Sequence, residues 1–132
     1  MGKAFDFLKS CGVFFVSTCD GALPAARPFG AVMEYEGCLY LSTGRTKDVY
    51  RQMKANPHIQ ITALKSGSRE WLRLSGRAVE EPSPALKRRM LAECPALLKR
   101  FASAASPEFA LFRVEDARAF LHTDVETIEL AD

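Results

Sequence analysis

Short runs of β-branched and aromatic residues, each closed by a glycine- or proline-containing turn, restrict this chain to an antiparallel, mainly β architecture. Residues 13–18, VFFVST, precede Asp20-Gly21, a strong hairpin signal. Residues 31–35 and 38–43 are separated by Glu36-Gly37, a two-residue connection whose glycine tolerates positive φ, and predict a second hairpin. Further on, Ile59, Ile61 and Ala63 alternate with Gln60, Thr62 and Leu64, and Ser66-Gly67-Ser68 turns the chain into a strand over 71–79. Residues 109–114 and 118–122 read as two closing strands, with 128–130 a short last one.

Helical spacing interrupts this pattern in a few places. Residues 3–10 predict a short helix with Phe5, Phe7 and Leu8 inward, stopped by Gly12 and laid as a lid on a barrel end. Residues 46–56 put Val49, Tyr50 and Met53 on one stripe and stop at Asn56-Pro57. Ser83-Pro84 starts a helix running through Leu91, and Pro95 a shorter one carrying Leu97, Leu98 and Phe101. The sum is an all-β barrel of about five to seven short strands, with helical caps. At 132 residues, 48% hydrophobic and 26% charged, the chain is expected to form one domain over 1–132 with its own core.

Several function classes lose support here. A net charge of +2 gives no electrostatic reason to bind nucleic acid or an anionic membrane. The basic runs Lys87-Arg88-Arg89 and Lys99-Arg100 lie on helices with apolar stripes and read as solvated faces. The first residues lack a leader pattern and no apolar run reaches spanning length, so a cytoplasmic location is expected. Cys11, Cys19, Cys38 and Cys94 form no C-x-x-C pair, and His58 and His122 lie far apart, so no metal site is expected and the thiols read as packing residues. No dinucleotide fingerprint, serine-hydrolase elbow or phosphate-binding Walker loop is present.

Three segments carry candidate chemistry. Ser42-Thr43-Gly44-Arg45-Thr46-Lys47 runs from a strand into a helix start, joining hydroxyls, amides and cations at the positive end of the helix dipole. With Arg27 nearby this forms a phosphate site; alternatively, the hydroxyls cap the helix and the cations are solvated. Arg27-Pro28-Phe29-Gly30 is expected to join two strands, with a cation beside a residue lacking an amide hydrogen and one lacking a side chain. Trp71 and Arg73 share one face of their strand, opposite to Leu72 and Leu74. Contact with a flat conjugated ring and a place at a subunit seam both suit that pair.

Taken in order, Arg27-Pro28-Phe29-Gly30, then 38–44 (CLYLSTG), 47–57 (KDVYRQMKANP) and 71–76 (WLRLSG) resemble the pyridoxamine 5'-phosphate oxidase-like family, and within it the small branch of nitroimidazole-resistance (NimA/NimC-type) proteins. The resemblance implies a six-stranded antiparallel split barrel that dimerises and holds two FMN molecules in grooves between subunits. By similarity, Arg27 and the backbone of Pro28, Phe29 and Gly30 line the ring and phosphate, Thr43 and Lys47 bind the phosphate, and Trp71 and Arg73 reach the groove from the neighbouring subunit. Trp71 stands where the oxidase proper carries a glutamine, and the segment after Leu130 lacks that enzyme's W-x-x-x-R-L-x-P region, so pyridoxamine phosphate oxidation itself is not expected. The implied function is an FMN-dependent oxidoreductase using a reduced nicotinamide donor and a small-molecule acceptor, with no catalytic side chain identified. A non-enzymatic flavin- or haem-binding module is the rival, and FAD or a deazaflavin are alternatives to FMN.

Overall fold

The computed structural model describes residues 1–131. Helix α1 (Gly2–Cys11) leads into strands β1 (Phe14–Asp20), β2 (Leu23–Phe29), β3 (Met33–Tyr35) and β4 (Cys38–Gly44). Helix α2 (Asp48–Ala55) then separates β4 from β5 (His58–Leu64) and β6 (Trp71–Glu81). Helix α3 (Pro84–Glu93) and a 3₁₀ segment (Pro95–Lys99) precede β7 (Phe109–His122) and β8 (Thr127–Leu130). All pairings are antiparallel, in the order β2-β1-β5-β6-β7-β4-β3, with β8 added to β7. Among the described residues the sheet has eight strands rather than six. No helix among the described residues is long and apolar enough to cross a membrane.

The two expected closing strands are one bent strand, β7. Its first half pairs with β4 and its second with β8, while β6 runs along both. The bend is a bulge: between the pairs Ser75↔Arg118 and Arg77↔Glu115, Gly76 alone faces Asp116 and Ala117, and Asp116 takes φ 54°. A Cβ on Gly76 would lie 2.6 Å from Val114 Cγ1 and 3.0 Å from the Glu115 carbonyl, so only glycine lets β6 cross this closely. The bend lets one sheet serve two layers.

One layer is the barrel interior. Phe14, Val16, Ile61, Leu72, Leu74 and Phe112 face inward at alternate strand positions and are essentially inaccessible. The other lies outside, where Met33, Tyr40 and Leu111 meet Met90, Leu91 and Phe101 from the α3 region. β4 is therefore buried on both faces. Helix α2 places Val49 and Met53 in the barrel core and leads through Asn56-Pro57 into the start of β5. Helix α1, with Ala4 and Leu8 buried, joins β1 at Phe14, which leads into the pair Phe15↔Thr62 near the end of β5. The two helices thus close opposite ends.

The segment from Arg27 to Phe29 corrects one expectation. It belongs to β2 and does not join two strands; only Gly30 lies beyond the strand end. β2 ends the strand order and has no strand on its far side among the described residues, which is where a proline can sit without breaking a ladder. Pro28 points outward and is exposed, while Phe29 turns inward against Phe14 with ring centroids 6.2 Å apart.

Candidate functional site

Arg27 stands opposite Val16 of β1, and its guanidinium reaches buried polar groups. Nη1 donates to Thr18 Oγ1 at 2.7 Å, to the Val16 carbonyl at 3.2 Å and to the Ala25 carbonyl at 3.4 Å. Nη2 donates to Gln52 Oε1 at 2.6 Å, and the same oxygen accepts a short bond from the Thr18 hydroxyl. Thr18 and Gln52 are only 3% and 4% exposed, so two elements, β1 and α2, fix this end of the arginine. Burial pushes the guanidinium pKa down, an effect Asp48 partly offsets. Among the described residues Arg27 has no carboxylate partner, unlike the other half-buried arginines Arg45, Arg77 and Arg113.

The turn between β4 and α2 is more occupied than its sequence suggests. Arg45 pairs with Glu80 at 2.9 Å and donates to the carbonyls of Pro107 and Phe109. Thr46 donates to Glu108 from its amide, at 3.1 Å, and from its hydroxyl, at 2.6 Å. A Cβ on Gly44 would lie 2.5 Å from that carboxylate, so the glycine makes room for Glu108. Lys47, at the N-cap of α2, is exposed and makes no ion pair among the described residues. Thr43 is 7% exposed on the barrel side of β4, next to Leu41, and its hydroxyl makes no hydrogen bond among the described residues. Among the described residues, the side-chain donors left for an anion at this end are Lys47, the Thr43 hydroxyl and the unengaged edge of Arg27.

Trp71 and Arg73 lie elsewhere. They face outward at the start of β6, where Trp71 stacks on His122 and Arg73 Cζ sits 4.9 Å from the indole centroid. Trp71 pairs with Leu64 at the end of β5, whereas α2 meets the start of β5 and reaches Glu80, near the end of β6, through Tyr50 and Lys54. Trp71 and Glu80 are separated by most of β6, on the order of 30 Å at about 3.3 Å per residue. Within one chain the expected site is therefore split into an anion half and an aromatic half at opposite ends of the barrel. Around the aromatic half, Val13, Phe15 and Leu64 leave 55%, 50% and 63% of their surfaces exposed.

Between the halves, the outer face of the sheet holds a groove of 630 Å³ lined by residues including Cys19, His58, Gln60, Ser75, Arg77 and Arg118. Sequence reasoning missed Thr18, Gln52, Glu80, Glu108 and His122. Two of these left a signal: Thr18 continues the inward parity of Phe14 and Val16, and Gln52 lies beside Met53 on the Val49 stripe. A polar residue at a core position asks for a partner. Glu80 meets its partners Lys54, Tyr50 and Arg45 across 26, 30 and 35 residues and Glu108 meets Thr46 across 62, separations that no local pattern predicts.

Residues 2–129 match the family model described as pyridoxamine 5'-phosphate oxidase. Among curated proteins, none matches in sequence. Among solved structures, a NimC/NimA family protein from Clostridium acetobutylicum is 34% identical, with a TM-score of 0.90 over 98% of this chain and 92% of that one. A haem-binding protein from Mycobacterium smegmatis shares the fold at 15% identity and a TM-score of 0.77, over 94% of this chain and 54% of that one. An FAD-binding protein from Mesorhizobium loti does so at 16% identity and 0.63, over 89% of each chain. A family model spanning nearly the whole chain and a close relative that superposes along its length agree with the split sheet, and the chain belongs to the pyridoxamine 5'-phosphate oxidase family.

Proposed function

We propose that the protein is a flavin-dependent oxidoreductase that works as a homodimer, binding FMN in grooves between its subunits. The observation that carries this reading is Arg27: a partly desolvated cation, tethered by neutral groups, that has no carboxylate partner among the described residues and lies at the same end of the barrel as Lys47, which likewise makes no ion pair among them. That environment suits a phosphate, which accepts from a guanidinium fork and an ammonium together. The residues present fit the group.

Arg27, Lys47 and the Thr43 hydroxyl would hold the phosphate. The backbone of Pro28, Phe29 and Gly30, on the open side of β2, runs beside the ring system. Trp71 and Arg73 of the partner subunit supply the flat surface and cation that flank the ring and exclude water. A two-fold dimer through the outer sheet face unites the halves that one chain holds apart, and it covers the apolar patch of Val13, Phe15 and Leu64. The flavin supplies hydride acceptance from a reduced nicotinamide and delivery to a small acceptor.

A second reading keeps the groove and drops the chemistry: a module that stores flavin or haem. It is favoured by likeness in fold to a haem-binding protein, just as likeness to an FAD-binding protein keeps FAD open beside FMN. The experiment is an absorption spectrum of the purified protein with identification of any ligand released on denaturation. Oxidised-flavin bands, with about one FMN released per chain as one phosphate site in each subunit requires, support the proposal. A colourless protein that binds no added FMN overturns it. Steady oxidation of NADH or NADPH by the loaded protein then separates enzyme from module.

A further inference from the structure

The five N–H donors of an arginine fall into an end-on edge, shared by Nη1 and Nη2, and a side-on edge, shared by Nε and Nη2. In Arg27 the end-on edge closes a ring of hydrogen bonds: Nη1 donates to Thr18 Oγ1, the Thr18 hydroxyl donates to Gln52 Oε1, and Nη2 donates to the same oxygen. The second Nη1 hydrogen turns to the Val16 and Ala25 carbonyls. Nε–H and the other Nη2–H, neighbours on the side-on edge, have no acceptor among the described residues.

We infer that Thr18 and Gln52 are positioning residues which lock the end-on edge of Arg27 and thereby present its side-on fork as a bidentate receptor for the flavin phosphate. The inference rests on the flavin reading above and adds to it the device that orients the arginine. A buried glutamine and threonine carry a desolvation cost that an apolar pair would avoid, and here every bond they make with each other and with Arg27 serves to fix one guanidinium. Both tethers are neutral, so the arginine keeps its full charge for the ligand. Holding it beforehand removes side-chain ordering from the cost of binding.

The test compares FMN with riboflavin, which lacks the phosphate, by flavin-fluorescence titration. Wild type is expected to prefer FMN. Gln52→Met, which keeps the volume and loses the carbonyl, is expected to weaken FMN on the order of tenfold and to leave riboflavin unchanged. In an Arg27→Met background the same change is expected to have no further effect on FMN, because the residue acts through the arginine. Thr18→Ser keeps the hydroxyl and should keep wild-type affinity, whereas Thr18→Val should lose part of it, which tests the relay independently should Gln52→Met fail to fold. Equal losses of FMN and riboflavin, an additive double mutant, or unchanged FMN affinity in Gln52→Met would overturn the inference while leaving the flavin reading intact. A wild type that binds neither ligand overturns both.

Discussion

The indole of Trp71 lies flat on the imidazole of His122, with ring centroids 4.0 Å apart and planes 11° from parallel. The stack joins the start of β6 to the end of β7, and Thr127 of β8 holds the imidazole from the far side through a 3.1 Å contact to Nδ1. The aromatic cluster at this end of the barrel is therefore fixed within one chain.

Replacing Trp71 with Ala is expected to weaken the proposed dimer by about 2 kcal/mol, the size of a tryptophan at the centre of an interface. Sedimentation over a range of concentrations measures it. Because Trp71 is the chain's one tryptophan, its emission also reports directly on this face: under the proposed function, added FMN should quench it in the wild-type protein. Unaltered emission in a protein that does bind FMN would take Trp71 away from the ring.

Lys47→Ala removes an exposed ammonium that has no carboxylate partner among the described residues. The expected loss in FMN affinity is about 1.5 kcal/mol, the lower end for a charge-assisted contact because solvent screens it. Titration at two salt concentrations checks this, since the wild-type advantage should shrink as salt rises. An affinity that does not move would remove Lys47 from the phosphate site.

Gly76→Ala should destabilise the fold by about 1 to 3 kcal/mol, because the new methyl meets Val114 and the Glu115 backbone at the bulge where β7 bends. Thermal unfolding measures the cost. A Tm equal to wild type would mean that β6 and β7 can separate at the bulge without loss.

Glu80 predicts an acid limit to stability. Burial disfavours its ionised form, but donation from Tyr50, Lys54 and Arg45 outweighs burial and holds the carboxyl below its ordinary value of 4.5. A pKa lower in the folded than in the unfolded chain gives stabilisation that is present above about pH 4.5 and lost as pH falls through the folded value. Glu80→Gln should lower stability at neutral pH by about 1 to 3 kcal/mol and flatten this part of the acid limb. A variant whose Tm falls with acid as steeply as wild type would show that other carboxylates carry it.

The faces of individual strands were legible without coordinates. Leu72 and Leu74 are inward and Trp71 and Arg73 outward, and Ile59, Ile61 and Ala63 turn inward together, because a period of two is a property of the chain itself. Helix α2 was legible from its own local period, the Val49 and Met53 stripe, and the turns at Gly21 and Gly37 from glycine, which suits their φ angles of 61° and 80°. The family was readable from motifs spaced along the chain. The continuity of β7 was not, since Glu115, Asp116 and Ala117 look like a turn until β6 lies against them and turns them into a bulge.

For the candidate site, the sequence alone pointed to Arg27, Thr43 and Lys47 as candidates for an anion half and to Trp71 and Arg73 for an aromatic half. Tertiary structure decided what remains available in each. Arg45 and Thr46, two apparent phosphate ligands, are taken by Glu80 and Glu108, and Arg27 is turned inward onto Thr18 and Gln52. It also decided that Trp71 and Lys47 stand at opposite ends of one barrel, because that separation follows from which end of β5 each neighbours. The physical reason is common to all of these: local periodicity governs where a side chain points, but which charges meet is set by strand register between residues distant in sequence.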